Sequence, residues 1–298
     1  GTADDDDLTN NTTPTLSGTA EANSTVNISS DVDGAVATTT ADGAGNWSVA
    51  TSTLAEGAHN LTATATDAAG NTGAASAALA ITVDTTSPAT PGAPDLDAAS
   101  DSGTADDDNV TNNTTPSVSG TAEANITVTI NSSLDGQVAA TTADGAGNWS
   151  GTTDVLAEGT HELTATATDA AGNNSAASMA LTVTIDTTSP AAPSAPDLDA
   201  ASDSGSADDD NVTSNTTPTL SGTAEANSTV NVTSDLDGAV ATTTADGAGN
   251  WSVATSTLAE GAHNLIATAT DAAGNTGAAS AGLAITVDTT SPAAPSTP

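Results

Sequence analysis

The chain has 298 residues, with 38 acidic side chains, no Lys or Arg, and a formal charge of -38. A chain without basic residues has nothing to set against phosphates, which excludes nucleic acid and anionic membrane surfaces as partners. Cys is absent, so neither disulfides nor thiolate metal sites support the fold, and no run approaches the length of an apolar membrane span.

High charge with few large apolar residues is the signature of disorder, but the pattern along this chain is that of strands. In chain order the first segments are TLSGTA (15–20), TVNISS (25–30), AVATTTA (35–41), WSVAT (47–51), HNLTATATD (59–67) and ALAITVD (78–84). Each alternates, each is rich in Thr and Val, and turn residues separate them. No stretch carries a helical period. The cores are expected to be small and built from Ala, Val, Thr and Leu.

The same words then return. Trp47, Trp149 and Trp251 are 102 residues apart, as are Pro14, Pro116 and Pro218. Residues 1–94 and 205–298 align without a gap and differ at 12 positions. Three domain-sized repeats follow, 1–91, 92–193 and 194–298, in an extended string. The chain begins and stops inside the acidic segment, as a window cut from a longer array would. The Pro-rich linkers DTTSPATPGAP (84–94) and DTTSPAAPSAP (186–196) are read as stiff extended spacers.

Six up-and-down strands would return the chain to the end where it came in. A string needs an odd number, and DLTNN (7–11) is the best candidate for the missing first strand. The prediction is an all-β immunoglobulin-like sandwich of about seven strands per repeat. It places the loops DGAGN (42–46) and DAAGN (67–71) at the N-terminal end of their repeat, and the turn DVDG (31–34) at the other end.

Together, TPTLSGTAEANSTVNIS, TTTADGAGNWSV, HNLTATATDAAGN and ITVDTTSP resemble the bacterial Ig-like tandem repeats of giant secreted adhesins, over the full length of every repeat. That resemblance implies an extracellular or cell-surface extender between an anchor and a distal binding tip, with calcium at the domain junctions. The lack of Lys, Arg, Phe and Tyr departs from it and leaves room for a matrix filament.

Candidate ligands gather in the acidic segment between the repeats. Asp84 closes the first repeat, and Asp95, Asp97, Asp101, Asp106, Asp107 and Asp108 follow. Asp144 and Asn148 of the next DGAGN loop, with Asp169 and Asn173 of the next DAAGN loop, are expected at the same junction. The second junction repeats the set as Asp186, Asp197, Asp199, Asp203, Asp208, Asp209, Asp210, Asp246, Asp271 and Asn275. Ca²⁺ takes six to eight oxygen ligands in loose geometry, and Mg²⁺ demands a tighter octahedron. Carboxylates within a Debye length of about 8 Å repel one another, and a divalent cation turns that repulsion into a tie. The bland alternative is a solvated acidic linker with Asx-turns.

Other motifs carry less. DVDGAVATTTAD (31–42) is not an EF-hand, because Gly34 stands at the fourth position and no helices flank it. A hairpin turn on Asp33-Gly34 accounts for it, and Asp33 remains a possible ligand. The single Trp per repeat is core in preference to a sugar platform. His59, His161 and His263 are surface or strand-end residues without a second His or Cys for zinc. A catalytic triad is not supported, because every candidate has a copy in each repeat. The reading is a non-enzymatic structural extender whose partners are calcium and its neighbouring repeats. A self-associating matrix or sheath filament of like chains is the alternative, and a carbohydrate-binding module is third.

Overall fold

A computed structural model describes residues 6–103, 105, 107–205, 207 and 210–296. The first repeat contains β1 (Leu8–Thr9), β2 (Thr15–Thr19), β3 (Thr25–Ser30), β4 (Gly34–Thr40), β5 (Asn46–Ala50), β6 (Gly57–Thr66) and β7 (Leu79–Val83). The second contains β8 (Asp95–Leu96), β9 (Val110–Thr111), β10 (Ser117–Thr121), β11 (Thr127–Ser132), β12 (Gly136–Thr142), β13 (Asn148–Thr152), β14 (Gly159–Thr168) and β15 (Leu181–Ile185). The third contains β16 (Asp197–Leu198), β17 (Val212–Thr213), β18 (Thr219–Thr223), β19 (Thr229–Ser234), β20 (Gly238–Thr244), β21 (Asn250–Ala254), β22 (Gly261–Thr270) and β23 (Leu283–Val287). The described residues are all-β, as expected, and the six expected strands of the first repeat each appear within two residues of their place.

By packing, the chain falls into two compact units. One is Gly1–Asp95 with Val118–Thr152 and Leu163–Leu181; the other is Leu96–Ser117 with Thr153–Glu162 and Thr182–Pro298. The first unit holds the sandwich of repeat one. Its large sheet has the order β1-β7-β6-β3-β4, and β2 pairs β5 opposite it. The second unit holds the sandwich of repeat three, with the sheets β17-β23-β22-β19-β20 and β16-β18-β21. The middle repeat has the same two orders, β12-β11-β14-β15-β9 and β13-β10-β8.

Alternation builds the cores. Along β19 every second side chain is buried, and Val230 and Val232 are fully so. They pack with Leu220, Trp251, Leu258, Leu265 and Val287 in repeat three. Val26, Ile28, Val36, Leu54, Leu61 and Val83 do the same in repeat one. A bulge between Ile28 and Ser29 precedes the turn before β4, where Gly34 adopts a φ of +74°. This is the expected hairpin on Asp33-Gly34.

A short first strand forms within DLTNN, where one was expected. β1 runs parallel to β7, with Leu8 opposite Thr82, and β17 runs parallel to β23, with Val212 opposite Thr286. First and last strands of a repeat share a direction, and the register sets β1 and β17 beside the C-terminal residues of β7 and β23, at the end of the repeat where the chain leaves. Because β6 is antiparallel to β7 and β3 to β6, DAAGN and DGAGN fall at the N-terminal end and DVDG at the C-terminal end.

The acidic segment departs from expectation. Repeats two and three have eight strands, because the Asp-Leu of PDLD is itself a strand, β8 or β16. In repeat three the pairing runs along the whole edge of β18. Ser194 N–H donates to Thr223 C=O at 2.9 Å, Asp197 and Leu198 pair with Ser221 and Leu220, and Asp199 N–H donates to Thr219 C=O at 3.0 Å. Pro193, Pro196 and Leu198 are buried, as are Pro91, Pro94 and Leu96. The Pro-rich linker is therefore not a bare spacer. Its second half is an edge strand anchored by two prolines and a leucine, and prolines are tolerated there because an edge strand leaves N–H groups unused.

Candidate functional site

Each repeat ends in the same clamp. After β7 the residues Asp84-Thr85-Thr86 are held by Glu56, from the loop before β6. Glu56 Oε2 accepts the Thr85 N–H at 2.9 Å and the Thr85 hydroxyl at 2.6 Å. Glu158 holds Thr187 at 3.0 and 2.5 Å, and Glu260 holds Thr289 and Thr290 in the same way. The Thr hydroxyl, then the Thr amide, keep the Glu56 and Glu158 carboxyls below the usual range. Two neighbouring carboxylates thus share one turn at the end of each repeat, in a chain with no basic residue to offset them.

The DAAGN loop of the following repeat meets this turn. Asp169 Oδ1 accepts the Asn173 N–H at 2.8 Å, and Oδ2 accepts its side-chain amide at 2.9 Å. The same amide donates to the Asp84 C=O at 2.8 Å. Asp271 and Asn275 repeat every bond, and Asn275 donates to the Asp186 C=O at 2.8 Å. Asp271 is only 8% exposed. One asparagine therefore fastens its own loop and the end of the preceding repeat. Glu123 adds a second grip, accepting the Ala89 N–H at 2.7 Å.

The acidic segment arrives elsewhere than the sequence suggests. Having crossed its own repeat as β16, the chain turns back at Asp199, whose C=O accepts the Ser202 and Asp203 amides at 2.7 and 3.1 Å. Ser202 C=O accepts the Thr213 hydroxyl at 2.6 Å, and its own hydroxyl accepts the Thr219 N–H at 2.9 Å. Asp203 Oδ2 accepts the N–H of Asn211, a residue with φ of +57°. Asp203 is 7% exposed, and among the described residues its Oδ1 has no hydrogen-bond partner. A buried carboxylate oxygen with neither donor nor cation is costly.

In repeat two the same segment touches the next repeat. Ser102 Oγ donates to Ala273 C=O at 2.6 Å, and a Cβ on Gly103, with φ of +122°, would overlap the Ala272 C=O. The structure thus groups Asp84 with Asp169 and Asn173. It brings Ser102 and Gly103, which follow Asp101, to the loop 271–275 that also meets Asp186. The expectation of one cluster around the first junction is corrected accordingly, because the PDLD strand carries the acidic residues along its own repeat before they turn.

Asp95 and Asp197 are exposed on β8 and β16. Asp97 and Asp101 form the turn after β8, and Asp101 Oδ2 accepts the Asn109 N–H at 3.1 Å. Asp199 Oδ1 accepts the Ser221 hydroxyl at 2.8 Å. Asp107 is exposed, and Asp108 and Asp210 accept the Val110 and Val212 amides at 3.0 Å. Asp144 and Asp246 close the DGAGN loops by accepting the amides of Asn148 and Ala146, and of Asn250 and Ala248, which hold both carboxyls below the usual range. Asp106, Asp208 and Asp209 lie outside the described residues. Among the described residues no three His, Asp or Glu side chains gather as a metal-holding group.

The three glutamates of the clamp escaped the sequence reading. Their signal was Leu-Ala-Glu-Gly, 102 residues apart at 54–57, 156–159 and 258–261. The histidines also need correction. His59 stands near the start of β6 but is 1% exposed. Its Nε2–H donates to Ala55 C=O at 2.8 Å, and its Nδ1 shares a hydrogen bond with Ser30 Oγ at 2.9 Å. Asp33, offered as a ligand, accepts the Ala55 N–H at 3.0 Å and lies 3.4 Å from the same Nδ1. Ser and Asp address one ring nitrogen and a carbonyl takes the other, so the group ties the DVDG turn to the loop before β6. Trp149 and Trp251 are core, 3% and 4% exposed.

A family described as bacterial Ig-like domain matches at residues 1–85, 87–187 and 189–289. Among solved structures, an adhesin of an Antarctic bacterium, described as Ca²⁺-stabilized and as helping it reach out and bind ice, is 28% identical. The match covers 97% of this chain and 73% of that one, with a TM-score of 0.41. The BSP domain of a biofilm associated protein is 15% identical over 92% of this chain and 61% of that one, with a TM-score of 0.25. Fibronectin(III)-like modules of CbhA from Clostridium thermocellum are 18% identical over 60% and 87%, with a TM-score of 0.38. No curated protein matches the chain.

Proposed function

Because the chain belongs to the bacterial Ig-like domain family, three copies in tandem, we propose that it is an extender segment of a surface-attached or secreted bacterial adhesin, stiffened by Ca²⁺ at its junctions. The role is mechanical. The observation that carries it is the repeated tie, Asn173 to Asp84 and Asn275 to Asp186, made beside a pair of carboxylates. A spacer of independent beads has no use for such a bond twice over.

Calcium suits the residues present. Glu158 with Asp186, and Glu56 with Asp84, supply hard oxygens on one turn, and the buried unpartnered oxygen of Asp203 asks for positive charge that no residue supplies. Asp169, Asp271 and the acidic residues after Asp97 and Asp199 are the remaining candidates. An oxygen-only set with loose spacing fits Ca²⁺ better than Mg²⁺. The ion would bridge carboxylates from two repeats, and by binding the docked arrangement better than the undocked one it would shift the population toward it. The Ca²⁺-stabilized adhesin among the similar structures is in keeping with this reading.

Calorimetric titration with CaCl₂ and parallel melting curves test it. The proposal expects midpoints on the order of 10⁻⁴–10⁻³ M, in the range of extracellular sites. It also expects a higher melting temperature in calcium that EGTA reverses, and a weaker isotherm for Glu158→Gln/Asp186→Asn. A flat isotherm with unchanged melting would refute it.

A further inference from the structure

In repeat three the chain crosses the sandwich before it joins it. Residues 194–199 run the length of β18, with Ser194 beside Thr223 and Asp199 beside Thr219. Their strand, β16, is the edge of the small sheet and pairs with β18 alone. Ser194 gives its N–H to Thr223 C=O and takes the Thr223 N–H on Oγ, both at 2.9 Å. Asp199 Oδ1 accepts the Ser221 hydroxyl at 2.8 Å, and Ser202 Oγ accepts the Thr219 N–H at 2.9 Å. Among the described residues only Leu198 of this segment enters the hydrophobic core of the repeat; Leu220, Val230, Val232, Trp251, Leu265 and Val287 all lie on β18 to β23. β17 is held differently. It runs parallel to β23, where Asn211 C=O accepts the Thr286 N–H at 2.9 Å and Thr213 C=O accepts the Asp288 N–H at 2.8 Å.

We propose that residues 194–211 are a length reserve, which tension along the chain releases before the sandwich gives way. This rests on the reading of the chain as a load-bearing extender. Tension enters repeat three at Pro193 and leaves it after Asp288, so it reaches β17 only once 194–211 has come away. Connectivity therefore sets the order. The segment can open as a unit of its own, because it is an edge held from one side and its loss leaves the core of β18 to β23 in place. Load then falls on β17 and β23. Two parallel strands drawn in opposite directions slide along their axes, so their bonds resist together instead of parting one by one. Thr213 and Val287, partners in this register, are 0% and 1% exposed, and sliding drags both out of their packing. Repeat two has the same parts. Its crossing segment is 92–109, and Asn109 and Thr111 C=O accept the Thr184 and Asp186 amides at 2.9 Å. The eighteen residues 194–211 have a contour of about 60 Å, and their release gains about 40 Å once the roughly 20 Å already spanned by the crossing is subtracted. Unravelling 212–288 gains at least about 250 Å. Such a string lengthens in small steps while its domains stay folded.

Single-molecule force spectroscopy of the full chain, held by handles fused at both ends, tests this in CaCl₂ and again in EGTA. The steps are expected in both buffers, so a failure of calcium stiffening leaves this result standing. Two short steps of about 40 Å, one from 92–109 and one from 194–211, are expected before the long steps of at least about 250 Å. Asp197→Cys/Ser221→Cys pins β16 to its register partner in a chain with no other Cys. When oxidised, this variant is expected to lose one short step and keep the long ones, and reduction is expected to restore it. Leu198→Asp is expected to lower the force of one short step, or remove that step, with the long-step force unchanged. The proposal is overturned if the repeats unravel with no short step, if the oxidised variant keeps both short steps, or if Leu198→Asp lowers the long-step force as much as the short.

Discussion

Gly222 sits in the middle of a strand, where glycine ordinarily weakens a sheet. The reason is the indole beside it. A Cβ there would lie 2.6 Å from Trp251 Cζ2, and Gly120 and Gly18 stand in the same relation to Trp149 and Trp47 at 2.5 and 2.7 Å. The only large aromatic of each repeat therefore packs flat on main chain. Gly222→Ala is expected to destabilise the third repeat by about 1–3 kcal/mol through overpacking, read as a lower urea midpoint with an unchanged slope. The glutamate clamp gives a second prediction at this scale. The folded pKa of Glu158 is depressed by hydrogen bonds from Thr187. Its contribution is thus present above the ordinary value of 4.5 and is lost as pH falls through the lower folded value. In an NMR titration the Thr187 amide shift should move below pH 4.5, and Glu158→Gln should remove that movement.

At the scale of elements, the PDLD strand does two things. It closes the small sheet of its repeat, and it delivers the acidic residues to the far end. Leu198, 6% exposed, is its main anchor. Leu198→Ala is expected to cost about 2–3 kcal/mol and to speed hydrogen exchange along β16 and the facing edge of β18, while the β18–β21 pairing stays protected. Much of the element level was legible beforehand. Alternation and turn residues located β2 to β7, and the parity of strands located β1, two residues long, from DLTNN. The PDLD strand was not legible, because two residues flanked by prolines and aspartates carry no period, and its burial depends on an edge formed later in the chain. Nor was the clamp glutamate, since the bonds to Thr187 and Thr188 span 29 and 30 residues of sequence. His59 was misjudged for the same reason. Nothing local says that Ser30 and a carbonyl will take up both ring nitrogens.

For the whole molecule, the repeat period matters more than any one site. Whatever holds Asp84 to Asn173 also holds Asp186 to Asn275, so a junction device is copied with every repeat. The sequence identified the participants Asp84, Asn173, Asp186 and Asn275 but grouped them with acidic residues that turn out to face the next loop along. Replacing both asparagines, Asn173→Ala/Asn275→Ala, is expected to cost the sandwiches about 1 kcal/mol per site, as for a part-buried hydrogen bond, while loosening the junctions. The most direct test of calcium-stiffened junctions is small-angle scattering of the three-repeat chain with millimolar CaCl₂ and again with excess EGTA. The account predicts a larger maximum dimension and a narrower spread of forms in calcium, reversed by EGTA and lost in the double asparagine variant. An identical maximum dimension in both buffers would contradict it.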